Sequence, residues 1–369
     1  MARVTVRTLA DALGISVSTV SNAYNRPDQL SSGLRTRILS KAEELGYAGP
    51  DAAARALRSG RAEAVGVVLT EQLSYAFSDP YAIGFLTGLC EIVEQRHISI
   101  VLMPLSLDGD ELDVTAVRRA KIDALTTFGL SETHPAVQVA KARGIRLVLS
   151  DASSDPKSSW VAIDDASGGR LLGSHMASLG HQDVAVIVDT TRPAGSRALE
   201  LSDHEIGFVD YASRIRGLRD TLPGRIRLVS AGHNATASGR SAGRWLLTQP
   251  DRPTAIVALS DVLALGVLEA AAELGMDVPR DLSVCGFDDI PAAGAARLTT
   301  VRQPIRERGR RVGELLINPD SPDRKILLPI RLIVRSSTGP PTPQNAALRP
   351  APEAALQQAQ ASLQKPQGT

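Results

Sequence analysis

The sequence predicts an α/β protein with two doubly wound parallel-sheet lobes and, in front of them, an N-terminal all-α headpiece. From residue 64 onward, short apolar runs alternate with segments of helical periodicity, and a second series repeats this alternation. Strands and helices that alternate in this way form parallel sheets covered by helices on both faces. Before residue 64 the chain has helical periodicity only. Its 369 residues are enough for a small headpiece and two lobes with cores of their own.

Residues 1–46 are predicted to form three short helices. The first, at residues 6–13, stops at Gly14, a residue that readily takes the left-handed backbone conformation of a tight turn. Ser16 can cap the second helix, which runs to about residue 25. The third begins after Ser31 and Ser32 and ends at Gly46. A helix, a short turn with Gly and a second helix form the helix-turn-helix pattern.

The outward face of the second helix carries small or polar side chains, namely Val17, Ser18, Ser21, Asn22 and Asn25. Short hydroxyls and amides can bond to bases or phosphates, and such a surface fits a DNA major groove. Taken alone, a serine-rich helix is more often a capped, solvated surface helix. The turn before it and the helix after it favour the DNA-binding interpretation.

Three motifs then follow in order: TLADALGISVSTVSNAYN, LGY, and AAARALRSGR leading into AVGVVL. In these motifs the chain resembles the LacI family of transcriptional regulators, and the resemblance extends from residue 4 to about residue 340. It implies that bases are read by Val17, Ser18 and Asn22. It implies contacts to the DNA backbone from Thr5, Ser16, Thr19, Ser21, Asn25, Ser31 and Tyr47. Leu57 lies where the family inserts a leucine between base steps in the minor groove, with Ala54 beside it.

The sequence departs from the family pattern in two places. Asn22 occupies a position often filled by arginine, and one extra residue lies around Gly49, before the hinge helix. That hinge helix, at residues 51–57, is too short to be stable alone and should order only against DNA or its own copy. The predicted domains are a headpiece at 1–48, a hinge and linker at 49–61, a two-lobed effector-binding and dimerisation domain at 62–338, and a disordered tail at 339–369.

The two lobes are predicted from eight strands and the helices between them. The strands of the first series are residues 65–69, 98–103, 124–128 and 146–150, and those of the second are 184–188, 226–230, 255–259 and 282–287. The intervening helices are near residues 80–96, 112–119, 135–143, 168–179, 205–222, 238–247 and 262–274.

The resemblance implies that these lobes are periplasmic-binding-protein-like and that an effector binds in the cleft between them. We expect the chain to cross between lobes near residues 151–159, 292–299 and 316–327. The N-lobe would then hold residues 62–152 and 299–338, with a closing strand at 326–334, and the C-lobe would hold residues 153–298.

Ligands of α/β lobes meet side chains at the carboxyl ends of strands. Asp151, Asp261 and Asp288 end predicted strands, and Arg214 lies in an Arg-x-Arg-Gly pattern that matches the effector arginine of the family. Guanidinium donors and carboxylate acceptors suit a polyhydroxyl ligand. The alternatives are that each aspartate only caps the next helix, Asp261 in particular, and that Arg214 and Asp288 form salt bridges.

Four more side chains complete the predicted effector site. Phe77, Tyr81 and Ile83 would line the cleft from the N-lobe, although core packing would explain them equally well. Asn234 stands where several sugar-responsive members carry an aromatic residue. The histidines show no ligand spacing, so neither a metal nor a cofactor is expected.

Charge and composition fit a basic, nucleic-acid-binding headpiece followed by a mildly acidic remainder. Residues 1–61 hold nine Arg or Lys and five acidic residues, so their formal charge is +4 and that of the remainder is −3. A basic headpiece favours phosphate contact at one end of the chain. Cys90 and Cys285 lie in apolar segments and are expected to be core residues. We find no signal-peptide core and no membrane-length apolar run, and therefore expect a cytoplasmic protein.

The sequence therefore predicts a homodimeric repressor that binds double-stranded operator DNA under the control of a small-molecule effector, such as a sugar or a related metabolite. A corepressor-dependent regulator or an activator would use the same parts. A solute-binding protein would have no use for the headpiece. The chain has none of the G-x-S-x-G, G-x-x-x-x-G-K-S/T or H-E-x-x-H motifs, which argues against an enzyme.

Overall fold

The computed structural model describes residues 4–49, 60–70, 73–108, 111–130, 132–190, 199–201 and 209–342. The chain forms two compact units, Met1–Glu63 and Ala64–Thr369. The predicted hinge helix at residues 51–57, and the predicted tail from residue 343 onward, lie outside the described residues.

The first unit contains the three predicted helices. They are α1 (Val6–Leu13), α2 (Val17–Asn25) and α3 (Ser32–Glu44), with a 3-10 turn at Pro27–Gln29 before α3. The tight turn after α1 depends on Gly14, whose φ of 63° is left-handed. The buried faces of the helices meet in one small apolar core, formed by Leu9, Ala10, Val20, Ala23, Ile38 and Ala42. The helix-turn-helix prediction is confirmed.

The second unit alternates strands and helices. Its strands are β1 (Ala64–Leu69), β2 (Ser99–Pro104), β3 (Ser106–Asp108), β4 (Glu111–Asp113), β5 (Ala124–Thr127), β6 (Arg146–Leu149), β7 (Ser159–Ile163), β8 (Asp183–Asp189), β9 (Leu199–Glu200), β10 (Arg225–Gly232), β11 (Ala255–Ala258), β12 (Ser283–Asp288), β13 (Thr299–Arg302), β14 (Lys325–Leu328) and β15 (Arg331–Ile333). Its helices are α4 (Pro80–Val93), α5 (Thr115–Arg119), α6 (Pro135–Ala142), α7 (Asp165–Ser178), α8 (Val209–Thr221), α9 (Thr236–Leu247), α10 (Asp261–Glu273), α11 (Pro291–Ala295) and α12 (Ile305–Ile317), with 3-10 turns at Leu73–Phe77 and Glu94–Arg96.

Two sheets divide this unit into an N-lobe and a C-lobe. The N-lobe sheet has the order β14-β7-β6-β5-β1-β2 and is parallel throughout. The C-lobe sheet has the order β15-β13-β12-β11-β8-β10-β9, with antiparallel strands at both edges. Every residue of β1 and β8 is buried, as expected where helices cover both faces of a parallel sheet. The predicted fold class is confirmed.

The lobe boundaries differ from the predicted ones. Ser159–Ile163 was expected in the C-lobe but joins the N-lobe sheet, and Thr299–Arg302 was expected in the N-lobe but joins the C-lobe sheet. The single strand expected at residues 326–334 is two strands, one in each sheet, because Pro329 interrupts it and lacks the N–H a ladder requires. An apolar run indicates a strand but not the sheet it joins. The chain therefore crosses between lobes at residues 164, 303–304 and 329–330.

Within the described ranges, no helix combines the length and the apolar character that crossing a bilayer requires.

Candidate functional site

The outward face of α2 holds its polar side chains through local hydrogen bonds. Ser16 Oγ accepts from the backbone N–H of Thr19 at 3.0 Å and lies 2.7 Å from the hydroxyl of Ser18. Asn25 Nδ2 donates to Ser21 Oγ at 3.1 Å. Val17 is 41% exposed, and Val20 is buried, as predicted. The side chains expected to meet DNA therefore lie on the solvent side of this helix.

Several other side chains of the predicted DNA-binding set have structural partners. Thr5 begins α1 in a capping box with Thr8, and Ser31 Oγ accepts from Leu34 N–H at 3.4 Å at the start of α3. The ring of Tyr47 packs edge-on against Tyr24, with 5.9 Å between centroids. A capped helix N-terminus still favours an anion beside it.

Three further members of the predicted DNA-binding set remain. Asn22 Nδ2 lies 3.4 Å from Gln29 Oε1, in the turn that follows α2. Ala54 and Leu57, expected in the minor groove, lie outside the described residues.

A cavity lies between the N-lobe and the C-lobe, where the parallel strands of both sheets end. Its volume is about 760 Å³, part of which is open to solvent. The N-lobe lines it with Leu69, Thr70, Tyr75, Tyr81, Ala82, Phe128, Gly129, Ser150, Asp151 and Arg308, and the C-lobe lines it with Asp189, Asp210, Tyr211, Arg214, Asn234, Leu259, Ser260, Asp288 and Gln303. The structure thus brings together five of the predicted effector residues: Tyr81, Asp151, Arg214, Asn234 and Asp288.

Phe77 and Ile83 were expected in the cleft, but they do not line the cavity. Phe77 is 71% exposed and Ile83 is 44% exposed. The 3-10 turn before α4 directs Tyr75 to the cavity and Phe77 to solvent, and the first turn of α4 does the same with Tyr81 and Ile83. The prediction was wrong because helical geometry places neighbouring side chains on different faces.

Asp261 was also predicted to meet the effector, but it is fully buried away from the cavity. Its carboxylate accepts from the hydroxyl of Thr300 at 2.6 Å and from the backbone N–H of Ile290 at 2.9 Å. Nor does it cap α10, because Ser260 does so by accepting from Leu263 N–H. Asp261 instead ties the start of α10 to neighbouring segments of the C-lobe.

Arg214 lies on α8 with its guanidinium held by acceptors and rings. Nε donates to Asp165 at 2.8 Å, Nη1 donates to the carbonyl of Leu259 at 2.9 Å, and Nη2 lies 3.3 Å from Asp210. The guanidinium also stacks 3.7 Å from the ring centre of Phe287. Although burial works against the charged form, the nearby carboxylates raise the pKa of Arg214. The side chain is therefore a fixed cation at the cavity wall.

Helix α8 approaches α7 closely at the level of Arg214. A Cβ at Gly169 would lie 2.0 Å from the carbonyl oxygen of Arg214, and one at Gly217 would lie 1.9 Å from that of Ala166. Only glycine fits at both crossing points. These two glycines therefore set where the Arg214 backbone, and with it the guanidinium, lies.

Arg308 on α12 is the second cation of the cavity, and the sequence analysis did not find it. Nη1 donates to the hydroxyl of Tyr81 at 2.9 Å and to Gln303 Oε1 at 3.2 Å, and Nη2 donates to the carbonyl of Ser150. Nη2 also lies 3.6 Å from the Asp151 carboxylate. The segment IRERGRR contains four arginines, and no local signal distinguishes the buried one.

The carboxylates of the cavity are held in a low-dielectric setting. Burial raises the pKa of Asp151 to about 7, against the opposing effect of Arg308. Burial and the nearby Asp261 raise the pKa of Asp288 well above its usual value, and Gln303 Nε2 donates to it at 2.6 Å. Within the described part of the chain, Asp210 Oδ1 is buried without a hydrogen-bond partner. It is an acceptor that a ligand hydroxyl could satisfy.

Several lining residues were missed although they follow strands that were predicted. Asp189 ends β8 and accepts from the Tyr211 hydroxyl, Ser260 follows β11, and Phe128 follows β5. Their positions after strands were a usable signal. Tyr75 and Gln303 gave no such signal, since one lies in a 3-10 turn and the other in a crossover.

Relatives and solved structures match nearly the whole chain, whereas a family model matches part of it. A family model described as a periplasmic binding protein-like domain matches residues 174–338. An HTH-type transcriptional regulator from Mycolicibacterium smegmatis is 35% identical over 356 residues, which covers 92% of this chain and 97% of the relative.

Two solved structures are similar over 92% of this chain and 100% of their own. A LacI family transcriptional regulator from Corynebacterium glutamicum has a TM-score of 0.67 and 27% identity. The lac repressor dimer bound to operator and the anti-inducer ONPF has a TM-score of 0.71 and 23% identity, so that likeness concerns the fold.

Proposed function

Since the chain belongs to the LacI family of helix-turn-helix transcriptional regulators, we propose that it acts as a homodimeric repressor in the cytoplasm. Its two headpieces bind a pseudo-palindromic operator, and an uncharged polyhydroxyl metabolite such as a sugar controls the affinity for that operator. The observation that carries the effector half of the proposal is the polar lining of the interlobe cavity, which both lobes supply. The cavity is assigned to binding and not to catalysis.

The chemistry of the lining supports a ligand with several hydroxyl groups. Arg214 and Arg308 are donors, whereas Asp210 and Asp288 are acceptors, and each hydroxyl of a sugar can both donate and accept. Tyr81 and Phe128 pack edge-on, with 6.0 Å between ring centroids, and give the cavity an apolar wall. Recognition of a sugar needs both kinds of surface.

The charge balance of the lining disfavours an anionic effector. Arg214 already donates to Asp165 at 2.8 Å and lies 3.3 Å from Asp210, and Arg308 lies 3.6 Å from Asp151. A phosphate or carboxylate group would enter a desolvated site in which protein acceptors already occupy most of the guanidinium donors and the charge of Arg214 is already paired with Asp165 and Asp210. We therefore expect the cavity to reject the phosphate ester of any sugar that it binds.

In the headpiece, we propose that Val17, Ser18 and Asn22 read bases. The proposed DNA-backbone contacts are Thr5, Ser16, Thr19, Ser21, Asn25, Ser31 and Tyr47. The exposed position of the polar side chains of α2 supports these roles. Ala54 and Leu57 are proposed to act in the minor groove, where a second copy would supply the matching hinge helix.

Effector control requires that the effector bind two states of the protein with different affinity. The cavity is lined by both lobes, so a ligand that contacts both favours one angle between them. We propose that this angle governs how the two hinge segments of the dimer meet DNA. An effector that weakens operator binding is an inducer, and one that strengthens it is a corepressor.

The test uses the purified full-length protein and DNA from the region upstream of its own gene, compared with random DNA of equal length at the same salt concentration. Thermal-shift measurements with ribose, ribose 5-phosphate, glucose, glucose 6-phosphate and nucleobases identify candidate effectors, since a ligand of the folded state raises the melting temperature. Operator affinity is then measured with each stabilising compound. The proposal fails if upstream DNA binds no more tightly than random DNA under any of these conditions.

A further inference from the structure

Asn234 connects the two lobes across the cavity. It follows β10 of the C-lobe, and its amide oxygen accepts from the Ser260 hydroxyl of the same lobe at 2.6 Å. Its amide nitrogen donates to two N-lobe groups, the Tyr75 hydroxyl and Asp79 Oδ1, each at 3.2 Å. Both hydrogens of the amide are therefore used on the lobe opposite to its own.

The partners of Asn234 are themselves fixed to helix starts. Ser260 is the N-cap of α10 and accepts from Leu263 N–H at 3.2 Å. Asp79 is the N-cap of α4, and its Oδ2 accepts from Ala82 N–H at 2.7 Å. One side chain thus joins the N-terminus of a C-lobe helix to the N-terminus of an N-lobe helix. Since each cap is held by its own helix, movement of the lobes apart would break these bonds.

Tyr75 is the second N-lobe residue that accepts a hydrogen bond from the Asn234 amide. Burial, together with the carboxylates of Asp79 and Asp189, raises the pKa of Tyr75 well above its usual value, so the phenol stays protonated. Its oxygen remains a neutral acceptor for Asn234, and Asp79 is buried beside it with 3% of its surface exposed. An amide donor is the right partner for a buried carboxylate and a neutral phenol together.

Another polar contact at the cavity, between Arg308 and Gln303, has a different character. Arg308 meets Gln303, but Gln303 lies in a crossover, five residues away along the chain. The N-lobe partners of Asn234 are 155 and 159 residues away, and no crossover passes through these contacts. The covalent connection between lobes keeps Gln303 near Arg308 in any lobe arrangement, whereas the Asn234 contacts depend on the lobes being together.

We infer that Asn234 is an interlobe clasp, a positioning residue that sets the equilibrium between closed and open lobes before any effector binds. This inference goes beyond the proposed function, because the equilibrium between closed and open lobes requires neither an effector nor DNA. In a regulator whose operator affinity depends on the angle between the lobes, it would also set the basal affinity.

The lobe separation can be measured directly by pulsed electron resonance between two spin labels. The labels are placed on exposed residues of the two lobes, through Thr87→Cys on α4 and Ser241→Cys on α9, with Cys90→Ala to remove the half-buried thiol. Asn234→Ala removes three hydrogen bonds, one of them to a carboxylate, and should raise the ratio of open to closed molecules by about tenfold or more. Asn234→Asp should raise it further, because it sets a second carboxylate against Asp79.

The controls separate a clasp from a general loss of structure. Asn318→Ala, at an exposed asparagine of the N-lobe, should leave the distance distribution unchanged. Tyr75→Phe keeps the ring and removes one acceptor, so it should shift the distribution in the same direction by less. If circular dichroism shows that Asn234→Ala does not fold, the distance distribution of Tyr75→Phe tests whether these contacts hold the lobes together.

Distributions of the folded Asn234 variants that superimpose on that of the unsubstituted protein would overturn the clasp. Because no DNA or effector is present, this result is independent of whether the proposed operator binding holds.

Discussion

The headpiece and the interlobe cavity hold their polar side chains in opposite ways. On the outward side of α1 and α2, side-chain hydrogen bonds join exposed groups two to seven positions apart. In the cavity, Arg214 reaches Asp165 across 49 positions and Arg308 reaches Tyr81 across 227, and both guanidinium groups are buried. A headpiece substitution should therefore act locally and leave the fold intact. A cavity substitution should disturb segments that lie far apart in the chain.

The largest expected effect is that of Arg214→Met. It leaves Asp165 and Asp210 without their buried cation, and the loss of one partner from such a pair costs about 3–5 kcal/mol of unfolding free energy. Arg216→Met on the same helix is the matched control, because Arg216 is exposed and should change stability by less than about 0.5 kcal/mol. Urea denaturation of both variants measures the difference. Equal losses of unfolding free energy would show that Arg214 stabilises the fold no more than the exposed Arg216 does.

The next effect depends on pH and concerns Asp151. Its pKa in the folded protein is raised by burial to about 7, from 3.8. For a carboxyl with a raised folded pKa, stability is lost as the pH rises from the unfolded value to the folded one, here from about 4 to about 7. The loss amounts to about 1.4 kcal/mol for each pKa unit.

Asp151→Asn removes this titration, so its melting temperature relative to the unsubstituted protein should increase between pH 4 and pH 7. Asp320→Asn, at an exposed carboxylate, should give a flat difference over the same range. A flat difference for Asp151→Asn as well would show that the carboxyl is ionised throughout this pH range.

The same contrast explains how far the sequence could predict each region. In the headpiece, Gly14 ends a helix and Ser16 begins one through contacts within a few residues, so local patterns suffice. The cavity depends on which sheet each strand joins. Because β13 belongs to the C-lobe, the chain crosses directly before α12, and this crossover brings Arg308 to the cavity. No spacing in the sequence carries that information.

The direction of side chains was the second feature that the sequence did not predict reliably. Tyr81 and Ile83 are two positions apart on the first turn of α4, yet only Tyr81 meets the cavity. Asp151 and Asp288 were predicted to face it because they end strands, where the topology of an α/β fold fixes the direction. The same rule placed Asp261 wrongly, because that residue is already the first of α10 and points into the C-lobe.

A smaller effect, on DNA binding alone, is expected for Asn22→Ala. If Asn22 reads a base, the variant should change which operators are preferred, by about 1–3 kcal/mol at one position. Arg55→Ala removes a basic side chain from the predicted hinge helix at residues 51–57, and it should weaken binding to all sequences about equally. Selection from a pool of randomised operators measures both. Unchanged preferences for Asn22→Ala would mean that α2 meets the groove in another register.

The smallest effect is expected for Ser16→Ala. The hydroxyl caps α2 through the Thr19 N–H, and its loss should cost about 1 kcal/mol of local stability, which speeds hydrogen exchange of that amide roughly fivefold. Ser40→Ala, in the middle of α3 and exposed, should not weaken its helix, since alanine is the better helix former. Equal exchange rates in both variants would contradict the capping role.

Ser16→Asp then separates the cap from the proposed DNA contact. Aspartate caps a helix as well as serine does, so the exchange rate of the Thr19 amide should stay slow. A carboxylate next to a phosphate is repelled, however, so operator binding should weaken, and the loss should be greatest at low salt. If Ser16→Asp binds operator as tightly as the unsubstituted protein, Ser16 does not face a phosphate, and its hydroxyl serves only to begin the helix.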